Sequence, residues 1–354
     1  MSKKKACVCK KVSIGGQALI EGIMMRGPKK TALAVRNPKG EMVVEKWDND
    51  LSARPKFLKP FYKTPIIRGV FNFIDSMILG YKCLMRSAEI SGLEELEDEM
   101  KREKAEKKAE KARKKGKTPR LDEKDAEKKE SSLLINIIMV VSMVIGVALG
   151  LALFMMLPSF IYKWTAHLLP FLSPKSPALA SFVKSVFEGV LKIIIIVAYM
   201  LLVSLMKEIR RTFQYHGAEH KTIFCYEHGK PLTVENVRLE RRFHPRCGTS
   251  FIILMLIVSI FISFLIDPIA ILITGSVPAT LIRAIIKLLL LPIMMGVGYE
   301  LIKLAGKHDN AFTRIISAPG VWLQHVTVLE PTDDMIECAI AAFTEVIPEE
   351  EKQD

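Results

Sequence analysis

The sequence predicts a mainly α-helical integral membrane protein with four transmembrane helices, an amphipathic interfacial helix and a small cytosolic α/β domain formed by both chain ends. Three observations predict it. Half of the 354 residues are hydrophobic, yet the net charge is +13. Charges and apolar residues are segregated into basic loops and long apolar runs, the pattern of a multi-pass membrane protein. Finally, four of the seven histidines and two of the six cysteines fall between Arg210 and Ser250, flanked by two of those runs. A soluble protein this basic would point to nucleic acid; here the expected partner is the lipid bilayer, and no nucleic acid is expected.

Met1 to Lys11 is a basic lead in which Cys7 and Cys9 read as reduced thiols, and no apolar signal region follows it. Glycines at 15, 16, 22 and 27 let strands and a neighbouring backbone pack closely, with Gln17, Glu21 and Arg26 as polar punctuation. Ala32 to Val35 and Met42 to Trp47 read as two strands. The intervening Asn37-Pro38-Lys39-Gly40 has the residues a type I turn prefers. Pro55, Pro60 and Pro65 mark a linker. Val70 to Met85 carries an apolar stripe at Val70, Ile74, Met77, Ile78, Tyr81 and Met85 but is too short and polar to span a bilayer, which predicts a helix at the interface. Glu94 to Glu130 is a dense Glu/Lys/Arg run that cannot bury a core.

Four spans follow: Leu133 to Leu157, ended by Pro158; Phe182 to Met206, with Lys184, Glu188 and Lys192 snorkelling from its first half; Phe251 to Ile266, ended by Asp267-Pro268; and Leu281 to Leu304, kinked at Pro292. Trp322 to Leu329 reads as a strand. Pro331 to Val346 reads as a helix capped by Thr332, with Met335, Ile336, Ile340 and Phe343 as its stripe. The chain thus divides into a cytosolic β-containing segment (1–62), an interfacial helix (63–92), a charged insert (93–130), a first transmembrane hairpin (131–206), a His/Cys loop (207–250), a second hairpin (251–305) and a C-terminal strand and helix (306–354) completing the cytosolic domain. The loop after the second span is rich in Lys and Arg and the loop after the first is poor in them. That imbalance predicts both termini, the His/Cys loop and all six cysteines on the cytosolic side of the plasma membrane.

The candidate site lies in the His/Cys loop. His216 and His220 are four apart, so on a helix both imidazoles leave one face. With Glu219 they read H-x-x-E-H, the reversed zincin order, and His244 and Cys247 follow as H-x-x-C. His216, His220, His244 and Cys247 are expected to converge on one divalent metal, and three imidazoles with a thiolate suit zinc. Four ligands would close the site as a structural one, whereas a catalytic site keeps one position open, with Glu219 as general base or as the carboxylate orienting an imidazole. Glu300, near one end of the fourth span, must find a partner inside the bundle. His308 and His325 read as ordinary surface or strand histidines.

The blocks GGQALIEGIMMRGP, PIIRGVFNFIDSMILGYKCLMRSAE, YHGAEHKTIFCYEHGKPLTVENVR, RFHPRCGTSF and APGVWLQHVTVLEPTDDMIECAIAA resemble the YqhQ-like family of bacterial multi-pass membrane proteins, over about Ser13 to Phe343. The resemblance implies a metal-dependent enzyme of unknown substrate. It supports His216, Glu219, His220, His244 and Cys247, with Cys225 and His228 as outer candidates. Three functions compete: a hydrolase-like metalloenzyme at the cytosolic membrane face, a scaffold or assembly factor stapled by a structural zinc, and a solute transporter. The last ranks lowest, because four spans without internal symmetry make a poor carrier.

Overall fold

Short strands rich in β-branched and long apolar residues open the described chain. The structure, a computed structural model, describes residues 14–49, 56–92 and 141–348, apart from 143, 173, 246, 277, 308 and 309. The basic lead, the charged insert, the beginning of the first expected span, Pro55 and His308 lie outside the described residues. Strands β1 (Gly15–Leu19), β2 (Gly22–Arg26), β3 (Lys30–Arg36) and β4 (Met42–Asp48) form an antiparallel meander in chain order. The expected turn is present: Gly40 N–H donates to the Asn37 carbonyl at 2.9 Å, and the Asn37 side chain accepts from Lys39 and Glu41. Gly40 takes a φ of +82°, where a side chain would be strained.

β2 and β3 are apolar on both faces because both faces are covered. Ile23, Met25, Ala32 and Ala34 pack with Met335, Ile336, Ala339 and Phe343 of the last helix, α9 (Asp333–Val346). The alternate residues Leu19, Met24, Leu33 and Val35 pack on Cys83, Leu79 and Ile90 of α1 (Ile67–Ile90). Each fully buried Ile, Met or Phe contributes roughly 1.5–3 kcal/mol, so this two-sided core fixes the register of the meander. The chain ends therefore meet in one core, and α9 supplies the expected stripe, with Met335, Ile336 and Phe343 fully buried.

The expected strand at Trp322 to Leu329 is instead the end of a helix, α8 (Ala311–Thr327). Asn310 caps it in a reciprocal pair with Thr313, and Gly320, Leu323, Gln324 and Thr327 form a buried face at helical spacing. The cap and that burial override the β-branched and aromatic local composition.

Among the described residues four helices are long and apolar enough to cross a membrane: α2 (Val144–Leu168), α3 (Pro177–Val203), α6 (Gly248–Thr274) and α7 (Thr280–Lys307). Between α3 and α6 lie α4 (Lys207–Glu227) and the short α5 (Val234–Arg238). Pro158 does not end α2. It sits in the first turn of an α-helical stretch that follows a π-turn at Ala152–Met156, where a proline removes no needed N–H. Pro268 likewise lies inside α6. Glu188 and Lys192 do not snorkel but are buried, and Ser159 Oγ donates to Glu188 Oε1 at 2.7 Å.

The stripe of α1 points outward. Ile74, Met77, Ile78, Tyr81 and Met85 are exposed, while Gly69, Gly80, Cys83 and Ser87 face the protein. Small residues inward and large apolar ones outward suit a helix bedded in a lipid interface. The chain divides into two compact units, one of Met1–Gly92, Ile193–Ser263 and Ile286–Asp354, the other of Leu93–Lys192 and Phe264–Ile285.

Candidate metal centre

α4 carries His216, Glu219 and His220, and it is buried on all sides from Tyr215 to Ile223 except at His216. It packs against β1, β2 and α9. The fit is close enough that a Cβ at Gly217 would collide with the Leu329 carbonyl oxygen, so only glycine fits there. The segment after α5 then brings His244 and Cys247 back to the same helix, and α6 begins at Gly248.

Donor atoms of His216, His220 and Cys247 all lie within 4.8 Å of one another, and no other group of three or more His, Cys, Asp or Glu side chains meets at that range among the described residues. His216 Nε2 is 3.1 Å from Cys247 Sγ. His216 Nδ1 lies 3.0 Å from the Thr327 carbonyl oxygen and His220 Nδ1 lies 2.5 Å from the Arg242 carbonyl oxygen. A carbonyl only accepts, so each Nδ1 carries a hydrogen, which leaves Nε2 as the ring nitrogen able to offer a lone pair to a metal. Burial holds the His220 pKa below its ordinary value, with His216 and His244 adding to that effect and Cys247 opposing it. Thr249 N–H points at Cys247 Sγ from 3.4 Å, at the start of a long helix where negative charge is favoured. Tetrahedral zinc, with Zn–N near 2.0 Å and Zn–S near 2.3 Å, needs ligand edges of roughly 3.3–3.6 Å, which this cluster brackets.

The expected fourth ligand, His244, stands beside this group. It is buried, its ring centroid is 5.6 Å from that of His220 and 4.7 Å from that of Phe224, and its Nε2 is 3.8 Å from Glu227 Oε2. Its backbone is clamped by Gln324, whose carboxamide accepts from His244 N–H at 2.8 Å and donates to His244 C=O at 2.7 Å. Glu219 is buried next to His220, and its Oε1 accepts from Gly16 N–H at 3.0 Å, tying β1 to α4. Burial pushes its pKa up, against the opposing pull of His216 and of the Gly16 N–H.

The outer candidates fall elsewhere. Cys225 is a buried thiol pushed up to about 11 by burial, 3.5 Å from the Pro231 carbonyl, and His228 pairs with Glu240 at 2.8 Å. Glu300 accepts a two-pronged pair from Arg68 at 2.6 and 2.5 Å, joining α7 to α1. Glu21 sits in the β1–β2 turn with a φ of +49° and holds Arg211 by the same two-pronged geometry. Arg26 ends β2, opposite Gly15 and Thr31. His325 is exposed, as expected. Gln324 and the two carbonyls that orient the imidazoles escaped the sequence reading. A lone Gln amid the buried face Gly320, Leu323 and Thr327 was the available signal once that segment is seen as a helix.

Fold and centre together define an integral membrane protein whose non-spanning elements enclose a buried His/Cys cluster. The chain belongs to the family described as protein of unknown function (DUF1385), whose model matches residues 64–349. It is 31% identical over 336 residues to the uncharacterized protein YqhQ of Bacillus subtilis (strain 168), an alignment covering 94% of this chain and 92% of that protein. No solved structure matches the chain.

Proposed function

We propose that His216, His220 and Cys247 hold one zinc ion and that the chain is a hydrolase-like metal-dependent enzyme of the plasma membrane, working at its cytosolic face. The observation that carries this reading is the pinning of both imidazoles. A backbone carbonyl fixes each Nδ1, leaving two Nε2 atoms and a thiol to converge. Outer hydrogen bonds of this kind orient metal-bound histidines generally. Zinc held by three protein ligands keeps one position for a water or substrate oxygen, and that supplies hydrolytic or Lewis-acid chemistry. Glu219 is the group we assign as proton acceptor, a buried carboxylate adjacent in sequence to a ligand.

A second reading rests on a specific contact. Glu219 already accepts the Gly16 N–H across 203 residues of chain, which favours a scaffold in which zinc and Glu219 together staple the fold. Elemental analysis of the purified protein, loaded with zinc, should find about one zinc per chain and its loss in His220→Ala. No bound metal in the loaded wild type refutes both readings. Glu219→Gln then separates them, because glutamine still accepts from Gly16 N–H but cannot take a proton. Under the enzyme reading this variant keeps its zinc and thermal stability but loses the cellular phenotype. A silent variant leaves the scaffold.

A further inference from the structure

One face of the spanning helix α3 is both polar and buried. Ser181, Ser185, Glu188 and Lys192 recur at spacings of four, three and four, and none is more than 9% exposed. At about 100° per residue they fall within about 60° of one another around the axis. Phe182, Val186, Val190 and Ile194 are exposed on the opposite side. The polar stripe runs about 16 Å along the helix, roughly half the hydrocarbon thickness of a bilayer. Charged and hydroxyl side chains at that depth face protein partners or water, because lipid offers neither hydrogen bonds nor counter-charge.

Partners from the same compact unit reach the stripe but leave it incompletely paired. Ser181 Oγ and Arg283 of α7 both donate to Asp267 Oδ2 of α6, and Ser159 Oγ of α2 donates to Glu188 Oε1 at 2.7 Å. Arg283 thus grips Asp267 by one prong. Asp267 and Arg283 are 1% and 6% exposed, and their Oδ1 and Nε atoms are buried with no hydrogen-bond partner among the described residues. Two orphaned polar atoms on one ion pair are costly in a spanning bundle. Further along the stripe, Lys184 Nζ stands 3.8 Å from Glu188 Oε1, longer than a direct hydrogen bond and a gap of the kind water bridges.

The two orphaned atoms decide the occupant. Arg283 Nε offers a hydrogen and Asp267 Oδ1 offers lone pairs. A cation would meet Arg283 and an anion would meet Asp267, so the ligand is neutral and carries both a donor and an acceptor. Water is the smallest molecule that meets both demands. The same residues mark an entrance. Arg283 lies three residues from the start of α7, Ser181 four from the start of α3 and Asp267 seven from the end of α6, hence roughly 5–10 Å below one membrane face. Ser159 and Glu188 lie roughly 14–16 Å below it, near the bilayer centre. We propose that the polar stripe of α3 lines a water-filled passage from this face to Glu188 at mid-bilayer, with water bound by Asp267 Oδ1 and Arg283 Nε at its mouth.

X-ray radiolysis of the full-length protein in lipid nanodiscs, in water carrying a heavy oxygen isotope, tests this, because hydroxyl radicals form where water is. Phe187 and Phe160 are matched reporters, roughly 15 and 12 Å below the same face. Phe187 is partly buried next to Glu188 and packs on Tyr162 with ring centroids 5.5 Å apart, whereas Phe160 is 69% exposed, on the lipid side. Phe187 should take up the isotope several-fold faster than Phe160, the reverse of their exposure. Asp267→Leu combined with Arg283→Met should lower Phe187 to the Phe160 rate, and exchanging both members of a buried ion pair for apolar residues is often neutral for folding. Ser181→Val, which keeps the ion pair, should slow Phe187 as well and carries the test if the double variant does not fold. A Phe187 rate no higher than that of Phe160 overturns the proposal, since the stripe is then dry or the lipid itself is wet. An unchanged Phe187 rate in the folded double variant, or in Ser181→Val in its place, also overturns it, because the water then enters elsewhere.

Discussion

Replacing Gln324 by methionine tests whether the centre is held from outside its ligands. Gln324 is fully buried, and its carboxamide makes two hydrogen bonds to the His244 backbone, at 2.8 and 2.7 Å, with a third to Ser250 Oγ at 3.3 Å. Methionine fills nearly the same volume and makes none of them. The His244 N–H and C=O are then left buried without these partners, each at a cost of about 1–3 kcal/mol, so Gln324→Met should destabilise the protein by about 2–6 kcal/mol. The segment from Arg242 to Cys247 carries one imidazole-orienting carbonyl and one of the proposed ligands, so on the zinc reading the zinc affinity should fall about 10–100-fold as well. Detergent-based unfolding gives the first quantity and competition with a chelating dye the second. Exposed His325, one residue on, is the control, and its change to alanine should stay within about 0.5 kcal/mol of wild type. A Gln324→Met variant no less stable than that control, with unchanged zinc affinity, would refute the argument.

Gly217→Ala should cost about 1–3 kcal/mol in the same assay, because its Cβ meets the Leu329 carbonyl rather than a movable side chain. Arg68→Gln should destabilise by roughly 1–3 kcal/mol by stranding Glu300 in a spanning helix, and the double variant with Glu300→Gln should recover most of the loss. Burial raises the Cys83, Cys225 and Cys338 thiols to about 11, from an unfolded value near 9, so above pH 9 the unfolded chain releases protons that the native one keeps. Their contribution should be fully present below pH 9 and be lost as pH rises towards 11, and Cys338→Ala should flatten that decline in a pH series of unfolding midpoints. Reporter fusions at both chain ends should signal the cytosolic side, and an external signal from either would invert the orientation read from the Lys and Arg imbalance.

The legible parts of this chain were those whose signal is local. Asn37-Pro38-Lys39-Gly40 announces its hairpin within four residues, and the spanning helices announce themselves by sustained hydrophobicity. Their ends were not legible from prolines. Pro158 is absorbed by a π-turn ahead of it, and Pro268 sits beside an aspartate engaged with Ser181 and Arg283. Trp322 to Leu329 misled because eight residues cannot reveal a 3.6-residue period that starts at Asn310, where the cap lies. The stripe of α1 was visible, but its direction was not: periodicity finds a face without saying whether protein or lipid covers it.

The centre divides along the same line. Side chains capable of binding a metal have identities that a sequence displays, so the His216–His220 pair and Cys247 stand out, and the structure brings them within 4.8 Å of one another. What orients them is mostly backbone, namely the carbonyls of Thr327 and Arg242, and a carbonyl is present at every position. Spacing alone also does not show that His244 stands beside the His216, His220 and Cys247 group, because H-x-x-C places two residues near one another without fixing which way either side chain turns. Gln324 fixes the His244 backbone from a helix 80 residues away, a contact that no local spacing displays. On the zinc reading proposed above, three protein ligands would leave one coordination position for a substrate oxygen where four would fill it. Under the two proposed readings Glu219 separates a staple from an enzyme, and the group that holds it, the Gly16 N–H, lies outside the loop that carries it.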